Sequence, residues 1–174
     1  VLAWLVRNPM VENIRRIHPI DFSDEQNVFA FNPLSINEPD EAYGVADLVT
    51  EALGRVFGQS KATETPLIDA TLNTVFVVLA ERGLPVAAAR WFLVEKHAEI
   101  RERLLAGHPD EYYRDLGSEL GRKKGAEFRE TVQSAERRIR KLIGNPQIRR
   151  IFSQTENTID FRNAMDNGDV LLMN

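Results

Sequence analysis

Cysteine is absent from this 174-residue chain, which excludes disulfides and thiolate metal sites. Histidine is scarce, and His18, His97 and His108 lie too far apart to suggest a His-based metal site. Each has a structural reading that outweighs a chemical one: His18 in a turn before Pro19, His97 on a helix face beside Lys96 and Glu99, His108 inside the Gly107-His108-Pro109 breaker. No apolar run approaches the roughly 20 residues needed to cross a bilayer, and the N-terminus lacks the basic, apolar and small-residue series of a secretion signal. A soluble, cytoplasmic segment without membrane contact of its own is expected. A glycine-rich phosphate loop is missing too: neither Ser60-Lys61 nor Lys123-Lys124-Gly125 follows the glycines that a nucleotide cradle requires. The acidic pairs Asp24-Glu25, Asp40-Glu41 and Asp110-Glu111 fall where turns and helix starts explain them. No catalytic residue, metal site or cofactor is therefore assigned within the chain.

What is present is helix. Apolar residues make up 43% and charged residues 28%, the balance of a globular chain long enough to bury a core. A first helix is expected after Pro39, capped by Asp40, with Val45, Leu48, Val49, Ala52, Leu53 and Val56 as its apolar stripe, ending at Phe57-Gly58. After a polar loop from Gln59 to Thr63, Thr65-Pro66 opens a second helix through Leu67, Ile68, Leu72, Val75, Phe76 and Leu79, stopped by Gly83. The run Val75 to Leu79 would also suit a strand, but its periodic stripe extends beyond strand length. Pro85 starts a third helix to about Glu95 that bends into a fourth up to Ala106, with Trp91, Phe92 and Leu93 as core anchors. Asp110 caps a short helix bearing Tyr112, Tyr113 and Leu116, a pair of tyrosines read as packing groups. A helix from Arg122 to Ile143, another from Pro146 and a last turn capped by Asp160 complete the series.

The ends read differently. Val1 to Val6 and Ile17 to Phe22 look extended, the latter running into an Asp21-Phe22-Ser23-Asp24 turn, and Val170 to Met173 reads as a strand buried on both faces of a parallel sheet. The fold expected is mainly α, a helical bundle flanked by short strand fragments, with the chain drawn from the interior of a larger protein. Residues 1–36 lead in, 37–155 form the helical domain, and 156–174 return to the sheet.

Charge is unevenly spread. Between Gly121 and Arg150 ten basic residues face three glutamates, so that this segment is +7 and the remainder −11. Arg122, Lys123, Lys124, Arg129, Arg137, Arg138, Arg140 and Lys141 are the candidate contact residues for nucleic acid or a partner. A solvated face paired with acidic neighbours is the competing reading. At helical spacing Arg137, Arg138 and Lys141 cannot all share the face of Ile139 and Leu142, and are expected to point largely outward.

Five stretches carry a family likeness: Asp21-Phe22-Ser23-Asp24, Phe31-Asn32-Pro33-Leu34, Asn145-Pro146-Gln147-Ile148-Arg149-Arg150-Ile151-Phe152-Ser153-Gln154, Thr158-Ile159-Asp160-Phe161, and Gly168-Asp169-Val170-Leu171-Leu172-Met173-Asn174. Together they resemble the middle of type IV secretion coupling ATPases of the TraD/TraG kind, within the FtsK-HerA superfamily. The resemblance implies a RecA-like motor domain interrupted by an all-α domain, in a homo-hexameric ATPase that moves DNA during conjugation and is anchored at the inner membrane. It also implies that the phosphate loop and the acidic strand motif, with their ATP and Mg²⁺, belong to the parent protein outside this region. The helical domain of that family is associated with relaxosome proteins or DNA.

Two functions follow as expectations. One is a DNA- or relaxosome-contacting module that uses the basic segment. The other is a protein-docking or inter-subunit domain, as in a HerA-like translocase, whose acidic first half (Glu38, Asp40, Glu41, Asp47, Glu51) meets a basic partner. A free-standing enzyme would need a nucleotide or metal site that the sequence does not supply.

Overall fold

A computed structural model of the chain describes residues 16–24, 26–57, 65–106 and 108–174. The expected strand at Val1 to Val6, the loop Gln59 to Thr63 with Ser60-Lys61, and Glu25, Gly58 and Gly107 lie outside the described residues, as does the side chain of Leu67. The fold is mainly helical. Its helices in chain order are α1 (Ala42–Phe57), α2 (Thr65–Glu81), α3 (Arg90–Leu93), α4 (Ala98–Leu105), α5 (Glu111–Arg122), α6 (Gly125–Ile143), α7 (Pro146–Phe152) and α8 (Phe161–Asp166). Two four-residue strands, β1 (Ile17–Ile20) and β2 (Val170–Met173), pair in parallel with Ile17 opposite Val170 and Ile20 opposite Met173. Among the described residues no helix is long and apolar enough to cross a membrane.

β2 is half-buried rather than covered on both faces, because its only neighbour among the described residues is β1. His18 lies within β1, not in a turn, and its Nε2 meets Asp169 Oδ2 at 2.8 Å. The turn after β1 is as expected: Asp21 Oδ1 accepts from the Ser23 N–H and hydroxyl, and Asp24 Oδ1 from the Gln26 and Asn27 N–H groups.

The Asn-Pro-Leu element ties the outgoing chain to the returning one. Asn32 is 2% exposed, and its Oδ1 accepts from the Leu34 N–H at 3.1 Å while its Nδ2 donates to the Thr155 carbonyl at 3.3 Å. Its own N–H donates to Asn157 Oδ1 at 2.6 Å. One residue pair away, Ala30 and Thr158 exchange two bonds, Ala30 N–H to the Thr158 hydroxyl and Thr158 N–H to the Ala30 carbonyl. Below this seam sits a small core of Ile20, Phe29, Ile151, Ile159 and Ala164, walled by Phe31, Phe152 and Phe161 with rings edge-on to one another. Glu41 closes the seam from the helical side. Its carboxylate accepts from the Asn37 N–H at 2.9 Å and meets Arg162 of α8 at 3.0 Å, which hold its carboxyl below the ordinary range.

The main core lies among the helices. α1 and α2 make the most extensive pair, and α2, buried at Leu72 and from Thr74 through Ala80, is the central element that also meets α6. The expected stripe of α1 is displaced. Ala42, Ala46, Thr50 and Leu53 are buried, whereas Leu48 and Val56 are 67% and 72% exposed. Small residues at 42 and 46 let α1 approach the broad face of α2 closely, which turns the larger aliphatics outward. The helix entrance also differs: Glu38 holds the cap position, Pro39 begins a single 3₁₀ turn, and Glu41 rather than Asp40 reaches back to the open N–H groups.

α2 ends as expected at Gly83, whose φ of +62° permits the Leu84 N–H to bond the Leu79 carbonyl and the Gly83 N–H the Ala80 carbonyl. The third and fourth helices are interrupted. A 3₁₀ turn (Val86–Ala89) feeds α3, Val94 is extended, and a second 3₁₀ turn (Glu95–His97) feeds α4. Phe92 and Leu93 are buried and Trp91 packs against the core, as anchors should. Asp110, Asn145 and Asp160 cap α5, α7 and α8 through the N–H groups of Tyr112, Gln147 and Asn163.

α4 and α5 approach through Gly117, where an added Cβ would stand 2.8 Å from Leu105 Cδ1 and 2.9 Å from its Cβ. Gly117→Ala is expected to cost about 1–3 kcal/mol by overpacking, measured by urea unfolding, with no change at the exposed Ser118→Ala. Because the folded-state pKa of Glu41 is depressed, its contribution is full above the ordinary Glu pKa and is lost as pH falls through the folded value. The melting difference between wild type and Glu41→Gln is therefore expected at neutral pH and to vanish at pH values well below about 4.

Candidate binding surfaces

The eight basic candidates do not form one face. Arg122 is the last residue of α5, and Lys123 and Lys124 form the link to α6, which starts only at Gly125 with φ +58°. The expected single helix from Arg122 thus breaks after its first residue, because Lys123 and Lys124 are extended and Gly125 has a positive φ, none of which continues a right-handed helix. The Gly125 N–H donates instead to Glu95 Oε1 at 2.9 Å. Lys123 pairs with Glu119 at 2.8 Å. On α6 the apolar line Phe128, Val132, Ala135 and Ile139 is buried.

Arg138 reverses the expectation placed on it. It is 5% exposed, and its Nη1 meets Asp69 Oδ1 of α2 at 2.6 Å. It sits on the flank of the α6 stripe against α2, where a long aliphatic stem fills the interface and the head finds a carboxylate. Arg140 is engaged as well, forked onto Glu136 one turn earlier by Nε at 2.9 Å and Nη2 at 2.5 Å. Arg129, Arg137 and Lys141 are exposed and make no ion pair among the described residues. At 100° per residue, Arg137 and Lys141 lie close together on the outer side of α6, with Glu130 on the same side about two turns earlier, and Arg129 lies about 80° round from Arg137.

Two concave surfaces flank this framework. One, of about 550 Å³, runs between the Leu93–Lys96 stretch and α6, with Val94, Phe128 and Val132 in its floor and Arg129, Glu136 and Arg140 on its rim. Behind Phe128, Arg101 is buried to 1% exposure, its guanidinium 4.8 Å from the ring centre and Nη1 donating to the Phe92 carbonyl at 3.1 Å. Burial pushes its pKa down, against the field of Glu102 and Glu95.

The other concavity, of about 480 Å³, lies between α1 and α2 and is closed at one end by Tyr112 and Tyr113. Tyr113 is buried and packs 4.4 Å from the ring of His108, and burial pushes its phenol well above the usual range. His108 is itself enclosed. Its Nδ1 accepts the Asp110 N–H at 3.1 Å, which requires Nε2 to carry the proton and donate to Glu81 Oε2 at 2.6 Å. His18 and His108 thus have structural partners, whereas His97 Nε2 is buried with no hydrogen-bond partner among the described residues. Sequence reasoning read both tyrosines as packing groups; Tyr113 packs, whereas Tyr112 is exposed at the mouth of the groove. The signal for this groove was the spacing of Tyr43, Asp47 and Glu51 at four-residue intervals on one helix.

No protein-family model, curated protein or solved structure matches this chain.

The two neighbouring arginines should separate by effect. Arg138→Ala is expected to cost about 2–3 kcal/mol, below the range of fully enclosed pairs because Asp69 stays partly wet. Arg137→Ala should stay within about 0.5 kcal/mol. Chemical denaturation of both variants checks the difference.

Proposed function

We propose that this chain is a non-catalytic recognition module, the helical domain (residues 37–155) of a DNA-translocating ATPase of the coupling kind, and that it docks protein rather than gripping DNA. The resemblance to the type IV secretion coupling ATPases supports the setting: an all-α insertion leaving and re-entering a RecA-like motor that supplies ATP and Mg²⁺ sites elsewhere in a hexamer. The parallel pairing of β1 with β2 across the helices suits an insertion of that type.

The observation that carries the docking reading is the engagement of the cations. Arg138 is spent on Asp69 and Lys123 on Glu119, both acids from outside the segment, and Arg140 is tied to Glu136 within it, so the +7 of the sequence does not become a +7 surface. Phosphate binding draws on cations that can be brought together along a backbone. Here two grooves are available instead, each with its own pattern of apolar and charged groups.

A second reading keeps one specific support. Arg137 and Lys141 are exposed one turn apart and make no ion pair among the described residues. They would make sequence-independent phosphate contacts of the parent's DNA.

Binding to fluorescent single- and double-stranded DNA at two salt concentrations separates the readings, using Arg137→Glu/Lys141→Glu beside wild type. Arg138 is left out of the variant because its loss perturbs the fold. The docking reading expects no retention at physiological salt and no difference in the variant. Retention lost in the variant, with a salt slope reduced by about 2, would transfer the function to DNA contact.

A further inference from the structure

We infer that the groove between α1 and α2 is a docking site for an arginine- or lysine-bearing peptide segment of a partner protein, an inference that rests on the docking reading above and names its ligand.

Tyr43, Asp47 and Glu51 stand at four-residue intervals on α1, so they line one wall over about 12 Å. Asp69 and Asn73, also four apart, face them from α2. None of the groove's lining residues is basic. Asn73 Nδ2 donates to Asp47 Oδ1, which fixes that carboxylate and leaves its second oxygen open to a donor. Asp47 makes no ion pair among the described residues. Glu51 is held only by the surface partner Arg55, a contact with both ends well exposed that an incoming guanidinium could replace at little cost.

The aromatic end selects the kind of cation. Tyr43 and Tyr112 are both exposed there, and Tyr112 stands edge-on to the buried Tyr113 with ring centres 5.3 Å apart. An exposed tyrosine face beside fixed carboxylates suits a planar guanidinium, which stacks on the ring while its forked N–H groups reach an acid. A lysine ammonium would use the same acids with less stacking. The floor adds an independent sign of an absent ligand: Thr50 is 7% exposed, and its hydroxyl has no hydrogen-bond partner among the described residues. A buried hydroxyl left unmet is costly, and a peptide donor supplies what it lacks.

Competing ligands fit less well. A metal ion needs its acids within one coordination sphere, and among the described residues no group of three or more His, Asp or Glu side chains is placed to hold one. Nucleic acid would meet carboxylates with its phosphates. A peptide of extended form spans the groove and can place one basic side chain against Tyr112 and another beside Asp47 or Glu51.

The test is an NMR titration of the isotopically labelled full chain with acetyl-Gly-Arg-Gly-Arg-Gly-amide, beside the same peptide carrying citrulline for arginine. Shift changes are expected at Tyr43, Asp47, Thr50, Asn73 and Tyr112, with citrulline binding much weaker. Asp47→Asn keeps the bond from Asn73, and it and Tyr112→Leu should each weaken the arginine peptide about fivefold. Tyr112→Phe, which keeps the ring, should bind like wild type, as should the remote Glu156→Gln. Equal binding of the citrulline peptide, or indifference to both Asp47→Asn and Tyr112→Leu, overturns the proposal. Shifts centred on Phe128 and Arg129 overturn this site and leave the docking reading standing. Absence of peptide binding, combined with DNA retention through Arg137 and Lys141, overturns both.

Discussion

Asn32 and the strand pair beside it force the chain to come back to where it left. His18 and Asp169 are 151 residues apart in sequence and in hydrogen-bond contact in space, and Asn32 spans to Thr155 and Asn157 with side chain and backbone together. The entropy of closing so long a loop grows only slowly with its length, so a few partly buried bonds and a small aromatic core suffice to hold the seam. Once the ends are joined, the helices between them are constrained as a group. Glu41 and Arg162 then transmit that constraint to the start of α1, because their contact fixes the turn from which α1 departs.

The second organising element is α2. Its face from Leu72 to Ala80 is buried almost without interruption, so each neighbour must find a complementary surface on it. α1 does so with alanines, and α6 with an apolar line and the stem of Arg138. The cost of bringing a guanidinium into that interface is met by Asp69, a carboxylate that retains contact with water and so loses less hydration than a fully enclosed one would. Arg101 resolves a similar problem differently, with a carbonyl and the face of Phe128 in place of a carboxylate.

The sequence was legible where the signal was local. The caps at Asp110 and Asp160 and the Gly83 stop all depend on residues within a few positions of one another. The stripe of α1 was misread because hydrophobicity alone ranks Leu48 and Val56 above Ala42 and Ala46, whereas close helix contact favours the small residues. The break at Lys123-Lys124 was passed over although Gly125, a poor helix former, follows it directly. The site was less legible than the fold for one reason: a count of charges gives no information on which are neutralised across an interface. Arg137 and Arg138 are adjacent and identical in type, yet one faces solvent and the other Asp69. Similarly, Tyr112 and Tyr113 differ only in which side of α5 meets the core.

Asp69 joins the two halves of the functional argument. It neutralises Arg138 on the core side, and it also lines the groove between α1 and α2. Part of its charge is therefore committed to the fold, and the groove's free negative character rests mainly on Asp47 and on the loosely held Glu51. This division has a physical advantage. A carboxylate that anchors the scaffold is held in place by Arg138 whether or not a ligand is present. Asp47 is fixed by a neutral amide rather than by a cation, so its orientation is set while its charge remains available. An acid held in place but not neutralised is the arrangement that a basic ligand can use with least reorganisation.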